Sequence, residues 1–284
     1  MNFLGLDISE RRICGVVVDE QGVVARRARR DDAPHGGADV ARELASGFSI
    51  AAFGVAIEGA KPVPSLKLAG LPEATYVMPG AAAVTAESWV GAARGLQHAV
   101  CLKIGERVLA GIMMNGHAWS GAHGLAGSAA WLALNPVERQ DYRRFGSLAA
   151  EVSSKGIARR LSWRIQAGDH SAVLERAGDL EAITSAHVYE GARGGDGVSI
   201  SVVRDTAKYI GMAIANLASC VDPEMVVLSG DAATAGDLLF EPVRQEYIRR
   251  IPPEMVERVR FAISPLADDG LAIGAARLAA LARA

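Results

Sequence analysis

The chemistry-bearing side chains of this 284-residue chain are few and scattered: two carboxylates near element ends, three cysteines, isolated histidines and several glycine clusters. Asp7 ends the apolar run Phe3-Leu4-Gly5-Leu6-Asp7-Ile8, the place for a strand-end aspartate that caps its own turn. Glu87 is expected in the first turn of a helix, where a carboxylate suits the helix dipole. Gly121, Gly124 and Gly127 recur at every third position, which predicts tight backbone rather than helix. Cys14, Cys101 and Cys220 lie far apart in apolar stretches, without the spacing of a disulfide framework or a zinc knuckle. They read as buried thiols of a reducing compartment. His117, His123 and His170 are each alone and read as surface or turn residues, not as a ligand set.

The elements that must position these groups follow from length and periodicity. A chain of this size can form one large core or two lobes, and two lobes is the expectation. Half of the residues are hydrophobic, mean hydropathy is +0.17, and 30 basic against 32 acidic side chains leave a net charge of -2, so no polyanion-binding surface is expected and nucleic acid is excluded as a partner. Arg26-Arg27-Ala28-Arg29-Arg30 is short and followed at once by Asp31 and Asp32, which fits the solvated end of an edge strand. The N-terminus lacks a basic region leading into an apolar core, and no apolar run reaches the roughly 18 residues that cross a bilayer. The expectation is a soluble, cytoplasmic protein with no membrane contact.

The opening residues read as a β-meander, followed by a helix at 37–46, a buried strand at 50–57, a loop from Gly59 to Pro72, a strand at 76–78 and a helix at 86–97. The pattern then restarts with strands at 99–104 and 107–114 and the hairpin signal Asn115-Gly116. Helices are expected near 147–163, 171–177, 180–190, 198–219 and 237–250, with strands at 226–230 and 261–263 and a closing alanine-rich helix.

Two meander starts, each feeding helices, together with Leu6-Asp7-Ile8-Ser9-Glu10-Arg11, Met113-Met114-Asn115-Gly116, Gly121-Ala122-His123-Gly124-Leu125-Ala126-Gly127, Asp222-Pro223-Glu224-Met225-Val226-Val227-Leu228-Ser229-Gly230 and Asp269-Gly270-Leu271-Ala272-Ile273-Gly274, resemble the ROK group of sugar kinases and sugar-responsive regulators. The resemblance implies an α/β fold of the two-lobed actin-like ATPase type, ribonuclease H-like or hexokinase-like. It divides the chain into an N-terminal lobe at 1–98, a C-terminal lobe at 99–265 and a final helix, 269–283, that packs back on the first lobe. It also implies a homodimer. The family's regulators carry an N-terminal helix-turn-helix domain, whereas this sequence starts at the first strand, so a DNA-binding repressor is not expected.

Kinases of this family transfer a phosphoryl group from ATP with Mg²⁺, a reaction in which the protein supplies positioning and charge stabilisation. The resemblance puts Asp7 near the metal-nucleotide and Ser9, Glu10 and Arg11 where the first phosphate loop has two glycines and a threonine. The second loop, GTGxG, becomes Gly105-Glu106-Arg107-Val108-Leu109, and Gly230 completes the nucleotide positions. Aligning the family's ENDANAAA-like segment with 85–92 assigns Glu87 to the general base and Ala86 to the asparagine that holds the sugar. Ser128 and Trp131 replace the sugar-contacting glutamate and histidine of AGEIGH. Gln140, Tyr142 and Ser147 fall on the three thiolates of the zinc knuckle, so no structural zinc is expected. Two readings follow: a catalytically impaired pseudokinase that binds a sugar-like small molecule or a partner, or an active ATP-dependent sugar kinase with Glu87 as base.

Overall fold

A computed structural model describes residues 1–31, 36–57 and 66–283. Asp32 and the first half of the expected Gly59–Pro72 loop lie outside those residues. Strands β1 (Asn2–Ile8), β2 (Arg12–Asp19), β3 (Val24–Asp31), β4 (Ile50–Ile57) and β5 (Ala74–Val77) form one sheet in the order β3-β2-β1-β4-β5. β1 runs antiparallel to β2 and parallel to β4, and β4 is parallel to β5. Helix α1 (Gly37–Ala45) precedes β4, and α2 (Pro79–Trp89) follows β5. A second sheet contains β6 (Ala99–Ile104), β7 (Val108–Met114), β8 (His117–Ala118), β9 (Met225–Ser229) and β10 (Arg260–Ile263), in the order β10-β9-β6-β7-β8.

Between β8 and β9 come α3 (Gln140–Phe145), α4 (Ser147–Val152), α5 (Ser154–Gln166), α6 (Ala172–Ala177), α7 (Ser185–Arg193) and α8 (Gly197–Val221). The chain then forms α9 (Asp231–Thr234), α10 (Gly236–Ile248), α11 (Pro253–Arg258) and the closing α12 (Gly270–Leu281). It divides into two compact units, one of Met1–Cys101, Ala110–Gly127 and Ser264–Ala284, the other of Leu102–Leu109 and Ser128–Ile263.

Most expected elements form where alternation and turn chemistry put them. Asn115 and Gly116 both adopt positive φ, 52° and 75°, as a two-residue hairpin turn requires, and Met114 pairs with His117 across it. Three readings need correction. The helix expected at 86–97 is instead Pro79–Trp89, because Pro79 pre-sets the first helical turn, and Glu87 therefore stands in the last turn. The segment 147–163 breaks at Ser153, which leaves the helix to accept a bond from the Gly156 N–H and cap α5. Cys220 is exposed, while Cys14 and Cys101 are buried.

In the first unit, glycines let backbone lie directly on backbone. A Cβ on Gly5 would sit 1.9 Å from the Ala272 carbonyl oxygen, one on Gly54 1.9 Å from that of Ala275, and one on Gly274 1.8 Å from that of Ala82. α12 thus presses against β1, β4 and α2 with no side chain between at these points. Phe3, Val16, Val18, Ala52 and Ala86 fill the rest of this layer together with Ala272, Ile273, Ala276 and Ala279. Gly54→Ala must push helix from sheet, so it is expected to cost about 3 kcal/mol or to abolish folding, measured as the midpoint of urea unfolding against wild type.

Candidate functional site

The first unit places Asp7 at the carboxyl edge of its parallel strands, where ligands of α/β sheets collect. Asp7 aligns with Ala56 on β4, and Ala56 with Val77 on β5, so Asp7 shares a sheet row with Val77, two residues before α2 begins. Asp7 is buried, with 2% of its surface exposed. Ser9 stands beside it, but its side chain is consumed by the turn: Ser9 Oγ donates to the Arg12 carbonyl at 3.0 Å and accepts from the Arg12 N–H at 3.0 Å. The first phosphate-loop position is therefore a closed hairpin turn, with Glu10 and Arg11 exposed at its tip.

From Pro79 the helix runs away from that edge. Ala86 is fully buried in the cluster that holds Phe3, Val18 and Ala52, and Phe3 is four strand residues, about 13 Å, before Asp7 on β1. It offers no surface to a sugar. Glu87, next to it, is 2% exposed, and both of its oxygens are engaged inside the unit: Oε1 accepts from Ser264 Oγ at 2.5 Å and Oε2 from the Ala92 N–H at 3.0 Å. Burial pushes its carboxyl pKa up, against the opposing pull of these two hydrogen bonds. Gly91 leaves the room this needs, since a Cβ there would lie 2.2 Å from Oε2. The structure thus separates Glu87 from Asp7 and makes it a clasp between the turn after α2 and the segment entering α12.

The second unit brings Gly105 and Gly230 together. Gly230, at φ 79°, meets the Ile104 carbonyl at the place where a Cβ would be, and the Gly105 carbonyl accepts from the Ser154 N–H at 2.9 Å. Asp231, a residue the sequence reading passed over, completes the cluster. Its carboxylate lies 3.1 Å from the Cβ position of Gly105 and accepts from Ser154 Oγ at 2.5 Å. Nothing local marks it, since an acid in the first turn of a helix is ordinary. Tyr189 is buried, its hydroxyl has no partner among the described residues, and burial, followed by the field of Asp231, pushes its pKa above the ordinary tyrosine value. The loop residue Glu106 is exposed. The Asp231 carboxylate thus sets a negative charge directly beside Gly105.

Ser128 and Trp131 lie on the short turn Ala129–Trp131 of the second unit, and both are exposed, Trp131 by 58%. His117, His123 and His170 are exposed as expected, and no group of three or more His, Cys, Asp or Glu able to hold a metal occurs among the described residues. A separate cavity of about 410 Å³ opens between α7, α8 and α10, with Ile200, Val203, Leu238 and Pro242 in its apolar wall and Arg204 at its rim.

The clasp is testable without any ligand. Glu87→Ala strands the Ala92 N–H and the Ser264 hydroxyl and is expected to lower stability by roughly 1–3 kcal/mol in chemical unfolding. Because the folded-state pKa of Glu87 is raised, its contribution is fully present below about pH 4.3 and is lost as pH rises through the folded value. Glu87→Gln should flatten that part of the stability profile in melts run at successive pH values.

Comparison with known proteins agrees with this fold. The sequence profile of the ROK family matches residues 80–282. A glucokinase of Halalkalibacterium halodurans is 30% identical over 194 residues, which cover 68% of this chain but 59% of that relative's length. The ROK family glucokinase of Streptomyces griseus, solved with glucose and AMPPNP, superposes with a TM-score of 0.85 at 23% identity, covering 99% of this chain and all of that one. A ROK family transcriptional regulator, a homolog of the E. coli MLC protein, superposes at 0.83 with 20% identity, covering 99% of this chain and 78% of the regulator. The two-sheet α/β architecture is therefore that of the sugar kinases with the actin-like ATPase fold, and the chain belongs to the ROK family.

Proposed function

We propose that this ROK protein binds a sugar-like small molecule and has lost efficient phosphoryl transfer. The observation that carries this reading is the start of α2. With the helix beginning at Pro79, the family's ENDANAAA-like segment fits residues 77–84, where Ala82 and Ala83 fall on its alanines, better than residues 85–92. Pro79 then takes the place of the base and Met78 that of the neighbouring asparagine, directly after Val77, which shares a sheet row with Asp7. Neither can accept a proton. Glu87 remains a clasp.

The second unit supports the same conclusion, because its glycine pair is shared with the carboxylates of Asp231 and Glu106. Carboxylates repel phosphate oxygens, and losing one preorganised charge-stabilising contact typically costs about 2.7–4 kcal/mol in the transition state. The alternative, an active hexose or amino-sugar kinase, is favoured by Asp7, which keeps the family's aspartate at the carboxyl edge of β1, and by the glucokinases among its relatives. It would need a base other than Glu87, with Arg11 and Arg107 turned toward phosphate.

A coupled assay separates the two. Turnover of glucose, mannose or N-acetylglucosamine is expected below about 0.01 per second, against the 1–1000 per second usual of enzymes, and turnover of order 1 per second would restore the kinase. In thermal melts, millimolar ATP-Mg²⁺ should leave the melting temperature unchanged, while a member of a hexose, N-acetylhexosamine and cyclitol panel should raise it.

The same proposal includes a cytoplasmic homodimer. No helix among the described residues is long and apolar enough to cross a membrane, and Trp131 and Phe145 expose 58% and 46% of their surface in the second unit, which favours an interface. Sedimentation velocity at micromolar concentration should give a dimer; a monomer alone would remove this part.

A further inference from the structure

Where the family resemblance puts a zinc knuckle, the second unit has a knot of charged and aromatic side chains. Gln140 and Tyr142 lie in α3 and Ser147 opens α4, so an amide, a phenol and a hydroxyl face the task of three thiolates. Zinc is held by thiolate, imidazole or carboxylate, and this set does not fit it.

What holds the segment instead is specific. Glu151 on α4, 3% exposed, accepts from the Tyr142 hydroxyl at 2.5 Å and from Arg139 Nη1 at 3.1 Å, with Arg160 Nε at 3.8 Å on its other oxygen. Asp141 receives Arg139 Nη2 at 2.9 Å and Arg159 Nη2 at 2.8 Å. The Arg139 guanidinium also lies over the rings of Tyr142 and Trp163, at 5.0 and 4.9 Å, and that of Arg159 over Trp163 at 4.7 Å. Arg160 continues to the Val202 carbonyl and to Thr206 on α8. One network thus joins α3, α4, α5 and α8. Burial, reinforced by Glu151, pushes the Tyr142 pKa up to about 12, so its hydroxyl stays a donor throughout the physiological range.

The network also reaches the turn that carries Ser128 and Trp131. Gly146, between α3 and α4, has φ 88°, and a Cβ there would stand 2.2 Å from the Ala130 carbonyl oxygen and 3.0 Å from the Trp131 nitrogen. Fixing α3 against α4 therefore fixes the backbone on which that turn rests. We infer that the Arg139–Glu151–Tyr142 knot is a metal-free tie that replaces the zinc knuckle and positions the Ser128–Trp131 turn. Its importance for a ligand rests on the binding function proposed above; the tie itself does not.

The test needs no ligand, so its failure is separate from failure of the binding reading. Purified full-length protein should contain no stoichiometric zinc by elemental analysis, and dipicolinate should leave its melting temperature unchanged. Glu151→Gln removes the buried charge facing Arg139 and Arg160, leaving Arg139 only Asp141, and should lower the melting temperature by roughly 5–10 °C. It should also speed amide exchange of the 128–132 peptide, measured by mass spectrometry, by about tenfold or more. If that variant does not fold, Tyr142→Phe removes a single donor and should lower the melting temperature by roughly 3 °C with the same local increase in exchange. One tightly held zinc per chain with melting sensitive to dipicolinate would overturn the inference. So would Tyr142→Phe that melts and exchanges like wild type.

Discussion

At Gly5, Gly54 and Gly274 the first unit is held by contact between main chains, with no side chain to adjust the fit. Such contacts cannot relax as a leucine against a leucine can, because one added methyl group must move an entire helix or strand. Everything this unit offers to chemistry depends on that seam. It fixes α12 on β1 and β4 and fixes α2 beside α12, and so sets both where Asp7 emerges and where Pro79 begins.

The two candidate nucleotide regions have changed in different ways. In the first unit the change is one of occupancy: Ser9 spends its hydroxyl on its own hairpin turn, leaving no donor from that side chain for a phosphate. In the second it is one of sign, because Asp231 directs negative charge at the glycine carrying the loop. Ser154 fixes that carboxylate by a hydrogen bond, which makes the charge a permanent feature of the cradle.

The strands, the Asn115-Gly116 hairpin and the order of the long helices were legible because alternation, turn residues and helical spacing all act locally. The family was legible from glycine and asparagine positions spread along the chain. α2 was not placed correctly, since Pro79 to Glu87 is apolar and small, buried on nearly every side, and has no polar face to mark its ends. That seven-residue slip is why Glu87 stands in the last turn of α2 and not the first. Its bond to Ser264, 177 residues away, has no local signature. Asp231 escaped notice for the converse reason: an acid in a first turn is ordinary, and only the approach of Gly105 and Ser154 from distant segments gives it meaning.

The arginines of β3 have a consequence of another kind. β3 is an outer strand of its sheet, with a row of main-chain groups that could template pairing with another molecule. Arg27 and Arg29 reach across to Asp269 and Asp268, Arg30 to Glu43, and Arg26 to the carbonyls at the end of α1. Exposed pairs of this type add little to folding stability. Their effect is colloidal: four cationic side chains, tethered along one border, give that border bulk and charge that an incoming strand would have to displace before it could add to the sheet.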